Sequence, residues 1–163
     1  MALITSQQVK KHTSIGGNVD TDRIIHLIED VQVMTLENTL GTKLYDKIVA
    51  DYEANTLADE YLTLYNNYIV PILCFLTFAD YLRDGVVLAQ NAGIFTHTPE
   101  DATPATIDDI EYVAKRNQSK ADVYIDRMKR YLCDINLPEY ENSQDNDYDI
   151  EPKNVNNIGG WYL

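Results

Sequence analysis

Cysteine is scarce in this chain. It holds two, Cys74 and Cys133. Neither stands in a CxxC pair, which argues against a zinc knuckle or dithiol redox chemistry. Both read as reduced thiols that behave as small apolar residues. Positive charge is scarce as well: 13 Lys and Arg stand against 26 Asp and Glu, for a net charge of −13. Proteins that track nucleic-acid phosphates need clustered Lys and Arg, so specific DNA binding is not expected. The charge suits a soluble protein that repels polyanions or meets a basic partner.

Long hydrophobic runs are also missing. The most apolar run, Tyr68 to Ala79 (YIVPILCFLTFA), is about a dozen residues long, contains Pro71 and is followed by Asp80. A bilayer span needs about 20 apolar residues, so the run reads as a buried core helix and no membrane is expected. The opening MALITSQQVKK lacks a basic stretch followed by a long apolar core, so a signal peptide is not expected either.

Catalytic motifs are absent too. The histidines, His12, His26 and His97, fall in different elements, and none belongs to an HExxH arrangement. There is no GxSxG, P-loop or GxGxxG, and Gly16-Gly17 is not followed by Lys-Ser/Thr. Asp108, Asp109 and Glu111 are explained by a helix start, where the macrodipole favours acid. The run Asp145 to Glu151 alternates oxygen ligands but lacks the Gly and the final Glu of a calcium loop. No catalytic residue, cofactor or metal site is therefore expected, and the chain is not expected to be an enzyme.

Helical signals dominate what is present. Thr5 or Ser6 caps a short helix through His12. Residues 13–18 form a loop, and Asn18 or Asp20 starts a long helix to about Leu40. The apolar stripe of that helix is Ile24, Leu27, Ile28, Val31 and Met34. Gly41 ends it, and Thr42 caps a helix carrying Leu44, Ile48, Val49 and Tyr52 on one face. Asn55-Thr56 breaks that helix. Leu57 to Tyr68 resumes with Leu57, Tyr61, Leu64, Tyr65 and Tyr68 at helical spacing. Pro71 begins a further helix to about Arg83, apolar nearly all round and hence central to the packing.

Thr106 caps the last helix, whose stripe is Ile107, Ile110, Ala114, Asn117, Ala121, Tyr124, Met128, Tyr131 and Ile135. This stripe alternates steps of three and four on a helix of roughly 40 Å. Its small centre predicts close approach to a neighbouring helix.

Between the last two helices the period changes. Val86 to Ala89 and Ile94 to Thr98 flank Gln90-Asn91-Ala92-Gly93, the pattern of a β-hairpin. A lone hairpin is marginal in water, so this one needs a partner. From Pro138 to Leu163 the chain carries six acids and one Lys without helical period, which reads as an extended acidic tail. Its end, Trp161-Tyr162-Leu163, has the character of an aromatic anchor, the alternative being a tail that folds back on its own core.

The expected fold is mainly α: a helical bundle of about five helices with one inserted β-hairpin and an extended C-terminal tail. The expected division is a helical domain over 1–137, with the hairpin at about 86–98, and the tail over 138–163.

The order of these signals resembles a family. It runs from the long helix near Asp20, through Leu40-Gly41-Thr42-Lys43-Leu44-Tyr45-Asp46 and the Tyr-rich helix ending Tyr68-Ile69-Val70-Pro71, to Asn91-x-Gly93-Ile94. It closes with Lys120-Ala121-x-x-Tyr124-x-x-Arg127-Met128-x-x-Tyr131-Leu132. This looks like the small helical head–tail connector (adaptor or ring) proteins of tailed phages, in the version found in Bacteroidales-infecting and crAss-like phages. The likeness covers about residues 3–135.

The resemblance implies a structural virion protein at the neck, made in the host cytoplasm. It would form a homo-oligomeric ring, usually of twelve copies, beneath the portal protein and against other neck or tail rings. DNA would pass through the ring without specific binding. The implied interface residues are Gln90, Asn91, Gly93, Ile94 and Phe95 in the hairpin and Trp161, Tyr162 and Leu163 at the tail end. The competing reading is an acidic monomeric helical binding module or regulator that mimics DNA.

Overall fold

The computed structural model describes residues 1–15, 21–84, 87–90, 93–96, 106–135 and 137–140. The chain is mainly helical. The elements are α1 (Ser6–His12), α2 (Asp22–Val31), π1 (Gln32–Glu37), α3 (Asn38–Leu40), α4 (Thr42–Glu53), α5 (Asp59–Leu64), π2 (Tyr65–Ile69), α6 (Val70–Asp84) and α7 (Ile107–Asp134). Two short segments, Val87–Gln90 and Gly93–Thr96, pair antiparallel with Gln90 opposite Gly93.

Capping sets two of the helix starts. The Thr5 hydroxyl accepts from the Gln8 N–H, and the Gln8 side chain accepts from the Thr5 N–H. Thr106 and Asp109 make the same reciprocal pair at the start of α7, satisfying donors that the helix itself leaves free. At Asp109 this donation, first from the Thr106 hydroxyl and then from its N–H, holds the carboxyl below its usual range.

The expected cap at Thr42 is not made. Gly41 occupies the cap position, and the Thr42 hydroxyl reaches back to Glu37 Oε1 at 3.4 Å. The expected starts at Asn18 or Asp20 lie outside the described residues.

Two long helices each contain a π turn, a feature with no signature in the sequence pattern. In the first, α2, π1 and α3 run on without a break. Among its buried residues, Ile24, Ile28, Gln32, Leu36 and Leu40 form a row spaced by fours, flanked by Leu27 and Val31. A row at four-residue spacing would rotate off the core in a 3.6-residue helix. The wider π turn keeps it facing inward. The same widening turns Met34 outward, to 72% exposed, so Met34 is not part of the buried stripe and Leu36 takes its place.

In the second, Pro71 does not begin a helix. It sits inside a continuous one, Asp59–Asp84. Within an α-helix its ring would collide with the carbonyl four residues back and leave that carbonyl without a donor. The preceding π2 turn resolves this, with the Val70 N–H reaching the Tyr65 carbonyl five residues back. By length and hydropathy this helix could cross a membrane, but 61% of its most apolar window is buried inside the fold.

The core gathers on α6, where Val70, Pro71, Ile72, Leu73, Cys74, Thr77, Phe78 and Ala79 are buried. Helices α1, α2 and α7 all pack against it. Burial pushes the Cys74 thiol up to about 12, so it stays protonated and inert at neutral pH. Cys133 is free and exposed.

Gly41 joins α3 to α4 at φ 77° and ψ 151°, backbone that is essentially reserved for glycine. Gly41→Ala should therefore cost about 1–3 kcal/mol, read as a lower urea midpoint with an unchanged slope. An unaltered midpoint would mean that this corner relaxes freely.

Candidate interaction surface

Helix α7 has two unlike faces, and its inner one is set by small residues. Ala114, Asn117 and Ala121 are buried against α6, with Met128 and Leu132 filling the C-terminal end. The short side chains let the two backbones approach closely. Asn117 satisfies itself by donating to the Val113 carbonyl at 2.8 Å. Ile107, expected on this stripe, is 73% exposed; it lies in the first turn, beyond the end of the seam.

At one end of the seam Arg83 forms a two-pronged pair with Glu111, Nε to Oε2 at 3.1 Å and Nη2 to Oε1 at 3.1 Å. It also donates to Gln118 at 3.3 Å and to Asp80 at 3.5 Å. The Arg83 guanidinium holds the Glu111 carboxyl below its usual range. Asp80 moves the other way, raised first by burial, with Arg83 opposing.

Glu111 therefore contributes stability that is full above its ordinary value of 4.5 and lost as pH falls below it. Glu111→Gln should flatten the acid limb of the melting temperature between about pH 5 and pH 3. A limb as steep as in the parent would assign that loss to other carboxylates.

Aromatic and cationic side chains cover the edge of the seam. Tyr68 stacks on Tyr131 with ring centres 5.1 Å apart, and Phe75 meets Tyr124 at 6.0 Å. Lys120 lies 5.1 Å above the Phe75 ring and Arg127 lies 5.6 Å from Tyr124. These stems cross the apolar edge and leave their charges at the surface.

The outer face of α7 carries Tyr112, Arg116, Lys120, Val123, Arg127 and Arg130, all exposed. From Tyr112 onward the spacing is four, four, three, four and three, so they form one stripe. Tyr112 is 70% and Val123 57% exposed. Of the acids of the middle turns, Asp122 falls on the flank shared with Lys129, and Asp126 stands one turn before Arg130, whose Nε donates to the Asp126 backbone carbonyl at 3.2 Å. Among the described residues none of Arg116, Lys120, Arg127 and Arg130 has a carboxylate at ion-pair distance. Sequence reading for the buried stripe passed over this face, although its spacing was there to be found.

A second set of exposed apolar residues lies on the first long helix. Ile25 on α2 and Val33 and Met34 on π1 are 41%, 52% and 72% exposed.

The chain leaves α7 on its core side. Leu137 is buried, and Tyr61 on α5 donates to Glu139 Oε2 at 2.7 Å. Lys47, paired with Asp51 at 2.7 Å, lies 5.1 Å above the Tyr61 ring. Burial first, and then Glu139, push the Tyr61 hydroxyl up to about 12, so it remains a donor at neutral pH.

Of the interface residues expected from sequence, Gln90, Gly93, Ile94 and Phe95 lie in the strand pair, with Ile94 opposite Ala89 and Phe95 opposite Leu88. Asn91, Trp161, Tyr162 and Leu163 lie outside the described residues. Among the described residues no group of three or more His, Cys, Asp or Glu could hold a metal ion. His26 is exposed, with Nδ1 3.5 Å from the Asp22 carbonyl.

Residues 36–150 match the model of a family of unknown function, DUF6712, and the chain belongs to that family. No curated protein and no solved structure matches it.

Proposed function

We propose that the chain is a structural virion protein. It forms a ring in the neck of a tailed phage, joining the portal to the tail and surrounding the DNA path. The reading rests on the order of motifs from the long helix near Asp20 to Tyr131-Leu132, and on one structural observation.

That observation is the pair of dissimilar outer faces on one subunit. A ring built from identical copies by a heterologous contact needs two different surfaces on each copy. The apolar residues Ile25, Val33 and Met34 are exposed on α2 and π1, and Tyr112 with the Arg-bearing face is exposed on α7. Tyr, Met and Arg are the residues that interfaces favour. The hairpin would then be an arm whose free strand edges pair with a neighbouring chain, through Gln90 to Phe95. The terminal Trp161-Tyr162-Leu163 would seat on a neighbour or on the portal.

The net charge of −13 suits a passage along which DNA slides without sticking. It also suits the second reading, an acidic monomeric binding module.

Sedimentation velocity on the purified chain, alone and mixed with its portal, tests the choice. The ring reading expects one discrete species many times the 18.6 kDa chain, or co-sedimentation with the portal. A monomer that ignores the portal at every concentration favours the binding module.

A further inference from the structure

The basic strip on α7 is out of character for this chain. Six of its 13 Lys and Arg, namely Lys115, Arg116, Lys120, Arg127, Lys129 and Arg130, fall within 115–130. The same stretch holds two acids, Asp122 and Asp126. A solvated helix face normally interleaves signs, because i, i+4 pairs of opposite charge are mildly stabilising. Here Lys115 does pair with Glu111 at 3.9 Å. The four cations around the exposed Val123 do not pair with any described carboxylate. Such a face is arranged for an acidic partner.

The chain itself contains that partner. Residues 141–151 hold Glu141, Asp145, Asp147, Asp149 and Glu151 with no cation among them. Eleven extended residues span about 36 Å. The strip from Arg116 to Arg130 spans about 21 Å of helix. The segment therefore covers the strip with length to spare.

The place where the tail begins favours the strip of a neighbouring copy. Leu137 is buried and Glu139 is held by Tyr61 of α5, so the described chain ends beside α5, on the core side of α7. We infer that the acidic segment 141–151 of one copy docks on the Arg116, Lys120, Arg127 and Arg130 face of α7 in a neighbouring copy. This deepens the ring reading by naming one of its subunit contacts.

Zero-length carbodiimide cross-linking of the full chain tests it directly, using an equal mixture of isotopically heavy and light protein. Lys120 should link to Asp145, Asp147, Asp149 or Glu151 in heavy–light pairs. Links found only within heavy or within light chains would place the tail on its own helix and overturn the inference, as would no link from Lys120 to the tail.

The variant R116E/R127E should lose these heavy–light links and weaken self-association about tenfold or more, on the scale of a few exposed ion pairs. Adding D145K/D147K/D149K should restore association, with the heavy–light links now joining the introduced lysines to the introduced glutamates. Links and association that persist in R116E/R127E would also overturn it. Anisotropy with a labelled duplex DNA provides the other arm: binding that R116E/R127E abolishes would assign the strip to phosphate instead. Rings without heavy–light links would remove this contact and leave the ring reading standing. Links without rings would do the reverse.

Discussion

Ala121→Leu is expected to lower the unfolding free energy by about 1–3 kcal/mol. Ala121 is fully buried at the centre of the α6–α7 seam, between Asn117 and Met128. In a close-packed interior three added carbons push the helices apart or force neighbouring side chains off their rotamers. Separation would also strain the Arg83 pair with Glu111, whose two 3.1 Å contacts bridge the same helices. Val123→Leu, two residues on but 57% exposed, is the control and should shift stability by less than about 0.5 kcal/mol. Chemical denaturation of both variants checks the pair. Equal stability for the two would mean that α7 does not rest on its small residues.

Gln32→Leu should be nearly as damaging, through hydrogen bonds instead of volume. Gln32 is 3% exposed. Its Oε1 accepts from the Leu3 N–H at 2.8 Å, and its Nε2 donates to the Met1 carbonyl at 3.2 Å and to the Tyr45 hydroxyl at 2.8 Å. One side chain thus ties the N-terminal residues, π1 and α4 together.

Leucine matches the volume but leaves the buried Leu3 N–H without an acceptor, which costs about 1–3 kcal/mol. The N-terminal residues are otherwise held by Leu3 and Ile4 in the core and by Tyr65, whose hydroxyl donates to the Leu3 carbonyl at 2.7 Å. The variant should therefore show faster amide exchange at residues 3–9 before any global change. Exchange at the parent rate would show that Gln32 is spectator to that docking.

Gln32 also marks the limit of what the sequence made legible. Local chemistry was readable: the caps at Thr5 and Thr106, the corner at Gly41, the break at Asn55 with its φ of 55°, and the small centre of the α7 stripe. What escaped were the two π turns. An added residue inside a helix changes neither composition nor propensity; it only shifts which later residues face inward. A 3.6-residue count therefore placed Met34 inside and passed over Gln32 and Leu36. The same count took Pro71 for a beginning, because an α-helix cannot accommodate it in mid-course and a π turn can.

The interaction surface was half legible for a different reason. Periodicity finds the buried side of α7 because burial selects apolar residues. The outer strip of Arg116, Lys120, Arg127 and Arg130 shows only when the same wheel is read for charge.

The central claim is that this chain assembles into a ring, and negative-stain imaging of the purified protein with its portal tests it most directly. The reading predicts class averages with closed rotational symmetry, free or seated on the portal, which would count the copies. Fields of single small particles beside undecorated portals would contradict it.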